Sequence, residues 1–162
     1  MVRVGSLAIV YFVEQQLEGW TFSRAHWPLH LTLVPWFTVT DEEAVLRSLE
    51  QVAHETQSLT LAVGGIEQFG TNGDVPVNII KNQAPAKALH DVLVDTLAKA
   101  NTTFNDDRFM GQSYVAHVTR HVADRRQSNE GENVLVTNFH LVRLIDKNTC
   151  LVGQQFDLRR VQ

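Results

Sequence analysis

Cysteine is almost missing from this chain. A single residue, Cys150, in 162 excludes an internal disulfide framework and a cysteine-based zinc site, and a reducing, cytoplasmic setting is the expectation. Long apolar runs are missing too. The stretch from Ser6 to Val13 falls far short of the ~20 residues a membrane span needs, and Glu14 rather than a small-residue cleavage site follows it. Val, Ile, Tyr and Phe dominate that stretch, so it reads as a buried first strand. Basic excess is also lacking. Lys and Arg total 14 against 18 Asp and Glu, a net charge of −4, which argues against a broad grip on long nucleic acid. A small anionic ligand, or one RNA end held in a local pocket, stays compatible with that charge.

What remains is an ordinary globular composition, 44% hydrophobic and 20% charged. At this length folding buries roughly two-thirds of the chain's surface, enough for a core without staples. Val2–Val13 and Leu29–Phe37 read as strands, with a mixed loop between them that could rim a site. Thr40, with Glu43 three positions on, offers a capping box for a helix over 41–56. Leu59–Phe69 and Val75–Lys81 flank an Asn72-Gly73 turn, a hairpin signal. Pro85 suits the first turn of a second helix, whose face is Leu89, Val92, Leu93, Thr96, Leu97 and Ala100. Tyr114–His121, Val134–Ile145 and Leu151–Leu158 read as strands, and Ala123–Asn133 as a mobile loop. The order predicts an α+β fold with antiparallel pairing and a faint duplication, each half holding one long helix.

Seven histidines are present, at 26, 30, 54, 90, 117, 121 and 140. Two share a context: His30-Leu31-Thr32 and His117-Val118-Thr119, both in strand-like runs. In a strand, residues i and i+2 project from one face, ~6.5–7 Å apart. Each tripeptide therefore offers an imidazole beside a hydroxyl. Imidazole exchanges a proton near neutral pH, and a hydroxyl donates to a phosphoryl oxygen. Two such units facing each other could hold one phosphate from both sides. The spacings His26/His30 and His117/His121 suggest metal only on a helix. In strands they lie ~13 Å apart, too far for one ion, so no metal site is expected. His54 and His90 read as surface residues on helices, and His140 as a hydrogen-bonded structural histidine.

Pro28-Leu29-His30-Leu31-Thr32-Leu33-Val34-Pro35 and Tyr114-Val115-Ala116-His117-Val118-Thr119 resemble the paired signature motifs of the 2H phosphoesterase superfamily. The nearest resemblance within it is to bacterial proteins called 2′-5′ RNA ligases or RNA 2′,3′-cyclic phosphodiesterases. The resemblance implies a bilobal fold: two pseudo-symmetric antiparallel-sheet lobes with helices outside, interleaved over residues 1–162 as one domain, around a central cleft. It implies His30 and His117 as the acid–base pair and Thr32 and Thr119 as phosphate ligands. Action on a cyclic phosphate or 2′-5′ linkage of an RNA 3′ end or small nucleotide, by a monomer without metal or cofactor, is the expectation. The alternative is a module that binds such an end in the same cleft without turnover.

This sequence departs from the family where Arg120-His121 directly follows the second motif. Arg120 should point away from the His117/Thr119 face if the strand stays regular, and reaches phosphate only if the strand bends or ends there. Trp36, on the His30/Thr32 face, and Tyr114, near a strand end, are candidate platforms for a base. Trp36, Tyr114 and Arg120 thus complete the candidate substrate contacts.

Overall fold

The structure is a computed structural model and describes residues 2–120 and 127–160. Among these, ten strands and two α-helices follow in order: β1 (Leu7–Phe12), β2 (Thr21–Ser23), β3 (His30–Thr38), α1 (Glu42–Glu55), β4 (Leu59–Phe69), β5 (Val75–Ile80), α2 (Gln83–Lys99), β6 (Thr103–Phe104), β7 (His117–Thr119), β8 (Asn133–Val136), β9 (Asn138–Asp146) and β10 (Thr149–Asp157). A short 3-10 turn, Gly111–Ser113, precedes β7. The strands hydrogen-bond in the order β2-β10-β9-β1-β3-β7-β5-β4-β8, with β6 on the free part of β3. Every strand pairing is antiparallel. The two expected lobes are the two halves of this open sheet, and they meet where β3 touches β7.

Side-chain alternation divides the sheet into two faces. In β1 every residue is buried, because both faces are covered at the sheet's centre. Leu7, Ile9 and Tyr11 join Leu31 and Leu33 of β3 under the helices, against Val45, Leu49 and Val52 of α1 and Ala86, Leu89, Leu93 and Leu97 of α2. Val10 and Phe12 face the other way. They pack with Val142, Leu144, Cys150 and Val152 beneath Phe22, Trp27 and Trp36. Each fully buried Leu, Ile, Val or Phe stabilises the fold by ~1.5–3 kcal/mol.

The expected strand Tyr114–His121 is only His117–Thr119, short strands β2 and β6 fall in segments expected as loops, and three further elements differ from the sequence expectation. The α1 cap is Asp41, whose carboxylate accepts from the Ala44 N–H (3.2 Å), one residue beyond Thr40. Asp41 holds the same capping geometry and adds charge at the helix's positive end. On α2 the buried stripe is Ala86, Leu89, His90, Leu93 and Leu97, while Val92 is exposed. His90 is therefore a core residue, not a surface one. The run Val134–Ile145 is two strands: β8 pairs with β4, and after Thr137 the chain crosses to the other half as β9, between β1 and β10. The run Val134–Ile145 holds neither Gly nor Pro, so it carries no breaker to signal such a crossing. The hairpin Phe69–Val75 forms as expected, with Gly70 (φ 91°) and Gly73 (φ 64°) in the left-handed conformation its tight turn requires. The expected mobile loop and the end of the Tyr114–His121 strand fall partly on 121–126, outside the described residues.

Candidate active site

The sheet's two halves join through one register pair, Leu31 of β3 opposite Val118 of β7. Both are completely buried on the helix-covered face. Their neighbours therefore emerge on the opposite face. Antiparallel pairing puts His30 beside Thr119 and Thr32 beside His117. The four side chains form a rectangle, with like residues at opposite corners. Directly opposed Cβ atoms in such a pair lie ~4.5–5.5 Å apart and diagonal ones ~7–8 Å. Register therefore sets the two histidines on one diagonal of the same face.

The two halves also repeat a local hydrogen bond. The His30 Nδ1 lies 2.9 Å from the carbonyl of Pro28, and the His117 Nδ1 lies 2.8 Å from the carbonyl of Val115. A carbonyl only accepts, so each Nδ1 carries the hydrogen and each Nε2 is the nitrogen that exchanges a proton. Each bond reaches back two residues, so both rings are oriented by their own strand. An aromatic ring flanks each: Trp27 beside His30 (centroids 4.5 Å) and Phe69 edge-on to His117 (4.8 Å). Burial lowers the His117 pKa below the ordinary imidazole value, only partly opposed by the bond to Val115. His117 is therefore neutral at neutral pH.

A cleft of about 610 Å³ opens on this face, lined by Thr32 and His117 and walled by Phe69, Phe109, Ser113 and Tyr114 among others. A second hollow of about 650 Å³, bordered by Ser58, Asn138 and Arg160, contains neither tripeptide. Among the described residues no three His, Cys, Asp or Glu side chains come together as a metal-binding group. His121 lies outside those residues, so its spacing from His117 is not placed.

Each of the three candidate substrate contacts has partners within the protein. Arg120 continues the β7 alternation onto the Val118 face. Its guanidinium donates to the Asn78 side-chain oxygen (2.6 Å), the Ser128 carbonyl (3.1 Å) and the Gln127 side chain. β7 ends at Thr119, but the Arg120 N–H still donates to the Pro76 carbonyl (2.9 Å), and the guanidinium, held by Asn78, is turned away from the four-residue rectangle. Tyr114 is buried, stacked on His90, and its hydroxyl donates to the Thr32 carbonyl (2.8 Å). It also lines the cleft, with one ring face taken by His90. Trp36 stays on the His30 face and packs edge-on against Trp27 (5.9 Å), so it backs the ring that touches His30. His140 also differs from expectation. It is buried against Phe12 with neither ring nitrogen bonded among the described residues, and desolvation lowers its pKa.

Sequence reasoning missed two residues that brace the site. Gln83 holds the backbone of Ala116, and His90 holds that of Leu33. His90 is the i+4 member of the stripe Ala86, Leu89, His90 and Leu93 on α2, and that spacing is the signal that could have found it. Gln83 left no sequence signal.

Two imidazole–hydroxyl pairs on adjoining strands of an antiparallel sheet, with helices on the far face, define a 2H-type phosphoesterase. The chain belongs to the 2′-5′ RNA ligase superfamily, whose sequence profile matches residues 15–140. Among solved structures, the Thermus thermophilus protein TT0787 is 18% identical, covering 97% of this chain and 100% of that one, with a TM-score of 0.58. E. coli LigT complexed with 3′-AMP is 16% identical over 96% of this chain and 99% of that one, TM-score 0.59. LigT complexed with NADP+ is 14% identical over 96% and 98%, TM-score 0.57. No curated protein matches the sequence. Family and fold together make this a phosphoesterase- or ligase-type enzyme. No helix among the described residues is long and apolar enough to cross a membrane.

Proposed function

We propose that this protein hydrolyses a 2′,3′-cyclic phosphate, on an RNA 3′ end or a nucleotide, to a phosphomonoester by two-histidine acid–base catalysis. The observation that carries this reading is the antiparallel seating of the two tripeptides about Leu31 and Val118. The histidines occupy one diagonal of the rectangle and the threonines the other. A phosphorus atom at the centre would have an imidazole on each side along the in-line axis. The Thr32 and Thr119 hydroxyls would donate to its non-bridging oxygens, where charge grows in the transition state.

His117 is the base in this scheme. Burial favours its neutral form, so its Nε2 takes the proton from the attacking water as the new P–O bond forms. His30 donates its proton to the ribose oxygen as that P–O bond breaks. The proton count balances: one histidine ends protonated, the other neutral, and exchange with solvent resets them. With the 5′-hydroxyl of a second ribose in place of water, the same steps form a new P–O bond, break the bond to the 3′ oxygen, which takes the proton from His30, and leave a 2′-5′ linkage, so ligation shares the site. In dilute substrate water is the more abundant nucleophile. The scheme needs no metal, and one chain supplies both tripeptides, so it needs no second copy.

LigT is described in complexes with 3′-AMP, ATP and NADP+, which supports a nucleotide-sized ligand here. The test is incubation with 2′,3′-cyclic nucleotides and 2′-5′ linked dinucleotides in excess EDTA. Monoester product whose rate is unchanged by the chelator is expected. Binding without product would instead indicate the non-catalytic module.

A further inference from the structure

Helix α2 presents polar side chains to both motif strands, and acid–base chemistry uses neither of them. Gln83, in its first turn, pairs with the backbone of Ala116: Nε2 donates to the carbonyl (2.9 Å) and Oε1 accepts from the N–H (2.8 Å). Ala116 directly precedes His117. His90, two turns on, is completely buried, with both ring nitrogens engaged. Its Nδ1–H donates to the Leu33 carbonyl (2.6 Å), and its Nε2 accepts from the Gly111 N–H (3.0 Å). The ring lies flat on Tyr114, centroids 4.0 Å apart and planes 7° from parallel. Tyr114 in turn donates its hydroxyl to the Thr32 carbonyl (2.8 Å).

The place where these bonds land is informative. Ile9 of β1 pairs with Val34, but Val10 pairs with Thr32, so Leu33 is an extra residue in β3. Such a bulge breaks the ladder locally and re-aims the neighbouring side chains. The released backbone groups then need other partners. His90 supplies one for Leu33, and Tyr114 holds the residue before it. An aliphatic side chain would fill position 90 of the apolar stripe without the desolvation that a buried imidazole suffers.

We propose that His90 and Tyr114 are positioning residues for Thr32: through the carbonyls of Leu33 and Thr32 they fix the bulge that aims the Thr32 hydroxyl at the bound phosphoryl group. This rests on the two-histidine reading above. Neither residue touches the reacting atoms through a polar group.

Tyr114→Phe removes one oxygen and keeps the stack, so it is the mild test. It is expected to lower kcat on 2′,3′-cyclic AMP about tenfold with KM within about twofold, because only alignment is lost. The melting temperature should fall by only ~2–4 °C. In a Thr32→Val background the same change should cost less than about twofold, since the hydroxyl it aims is gone. His90→Gln, which keeps a donor and an acceptor, should retain more kcat than His90→Leu. Wild-type kcat in Tyr114→Phe, or an equal loss in both backgrounds, would overturn the proposal. If the wild type turns over no cyclic phosphate, the hydrolysis reading fails instead, and the same cycle is read by calorimetry in affinity for inorganic phosphate. Additive losses there overturn the positioning role, and no phosphate binding by the wild type overturns both.

Discussion

Replacing His117 by alanine should separate chemistry from folding. The His117 ring is fixed by its Nδ1–H bond to Val115, and burial lowers its pKa, so its Nε2 is a ready base at neutral pH. Loss of a positioned acid–base group costs ~10²–10⁴ in rate, or ~3–5.5 kcal/mol of transition-state stabilisation. The cost to stability is much smaller. The substitution removes one backbone bond and an edge contact with Phe69, and relieves the desolvation of the ring. A net loss near ~1 kcal/mol lowers the melting temperature of a chain this long by ~2–4 °C. The assay is steady-state conversion of 2′,3′-cyclic AMP in EDTA, followed by chromatography of the monophosphates. The pH profile adds a signature. A protonated His117 accepts nothing, so wild-type kcat/KM should fall as pH drops through a pKa below 6.5, and that acid limb should vanish in the variant. Turnover within a few-fold of wild type in a cooperatively melting His117→Ala protein would refute the reasoning. So would persistence of the same acid limb.

Three further outcomes follow from the same geometry. Thr32→Val and Thr119→Val each remove one donor to the phosphoryl oxygens and should each lower kcat by ~10², measured in the same assay. Stability should fall as the solution is acidified below pH ~6.5. His90, His117 and His140 all have folded pKa values lowered by burial, so the unfolded chain binds protons first and gains on the native state as pH drops through that window. Melting curves from about pH 7.5 to about pH 5 check the sign, and an unchanged midpoint would contradict it. Leu49→Ala empties a completely buried position between α1 and the sheet and should cost ~2–5 kcal/mol with KM unaltered, read by denaturant unfolding and kinetics together.

How much of this was legible in the sequence varies by element. The facing of each pair was visible because strand periodicity is rigid: once His30 and Thr32 share a face, Leu31 must point to the core, and likewise Val118; that the two pairs adjoin came only from the family resemblance. Helices α1 and α2 were visible through their apolar stripes, though Val92 proved exposed and His90 buried. The position of that stripe depends on which residues β3 presents to α2, a tertiary fact. The split at Thr137 was hidden because neither Gly nor Pro separates β8 from β9. The bulge at Leu33 was hidden because a bulge is a mismatch between two strands, and one strand's sequence does not contain it. Arg120 was legible in geometry but not in partner: alternation turned it from His117, whereas its bond to Asn78 depends on β5. Gln83 acts through Ala116, 33 positions away, and nothing local marks it.

The central claim is that His30-Leu31-Thr32 and His117-Val118-Thr119 share one phosphoryl group. A crystal structure with a bound nucleoside 2′-monophosphate tests this most directly. The account predicts one phosphate between the two Nε2 atoms, with the Thr32 and Thr119 hydroxyls on its remaining oxygens. A phosphate that touches only one tripeptide, or that settles in the hollow between Ser58, Asn138 and Arg160, would contradict it.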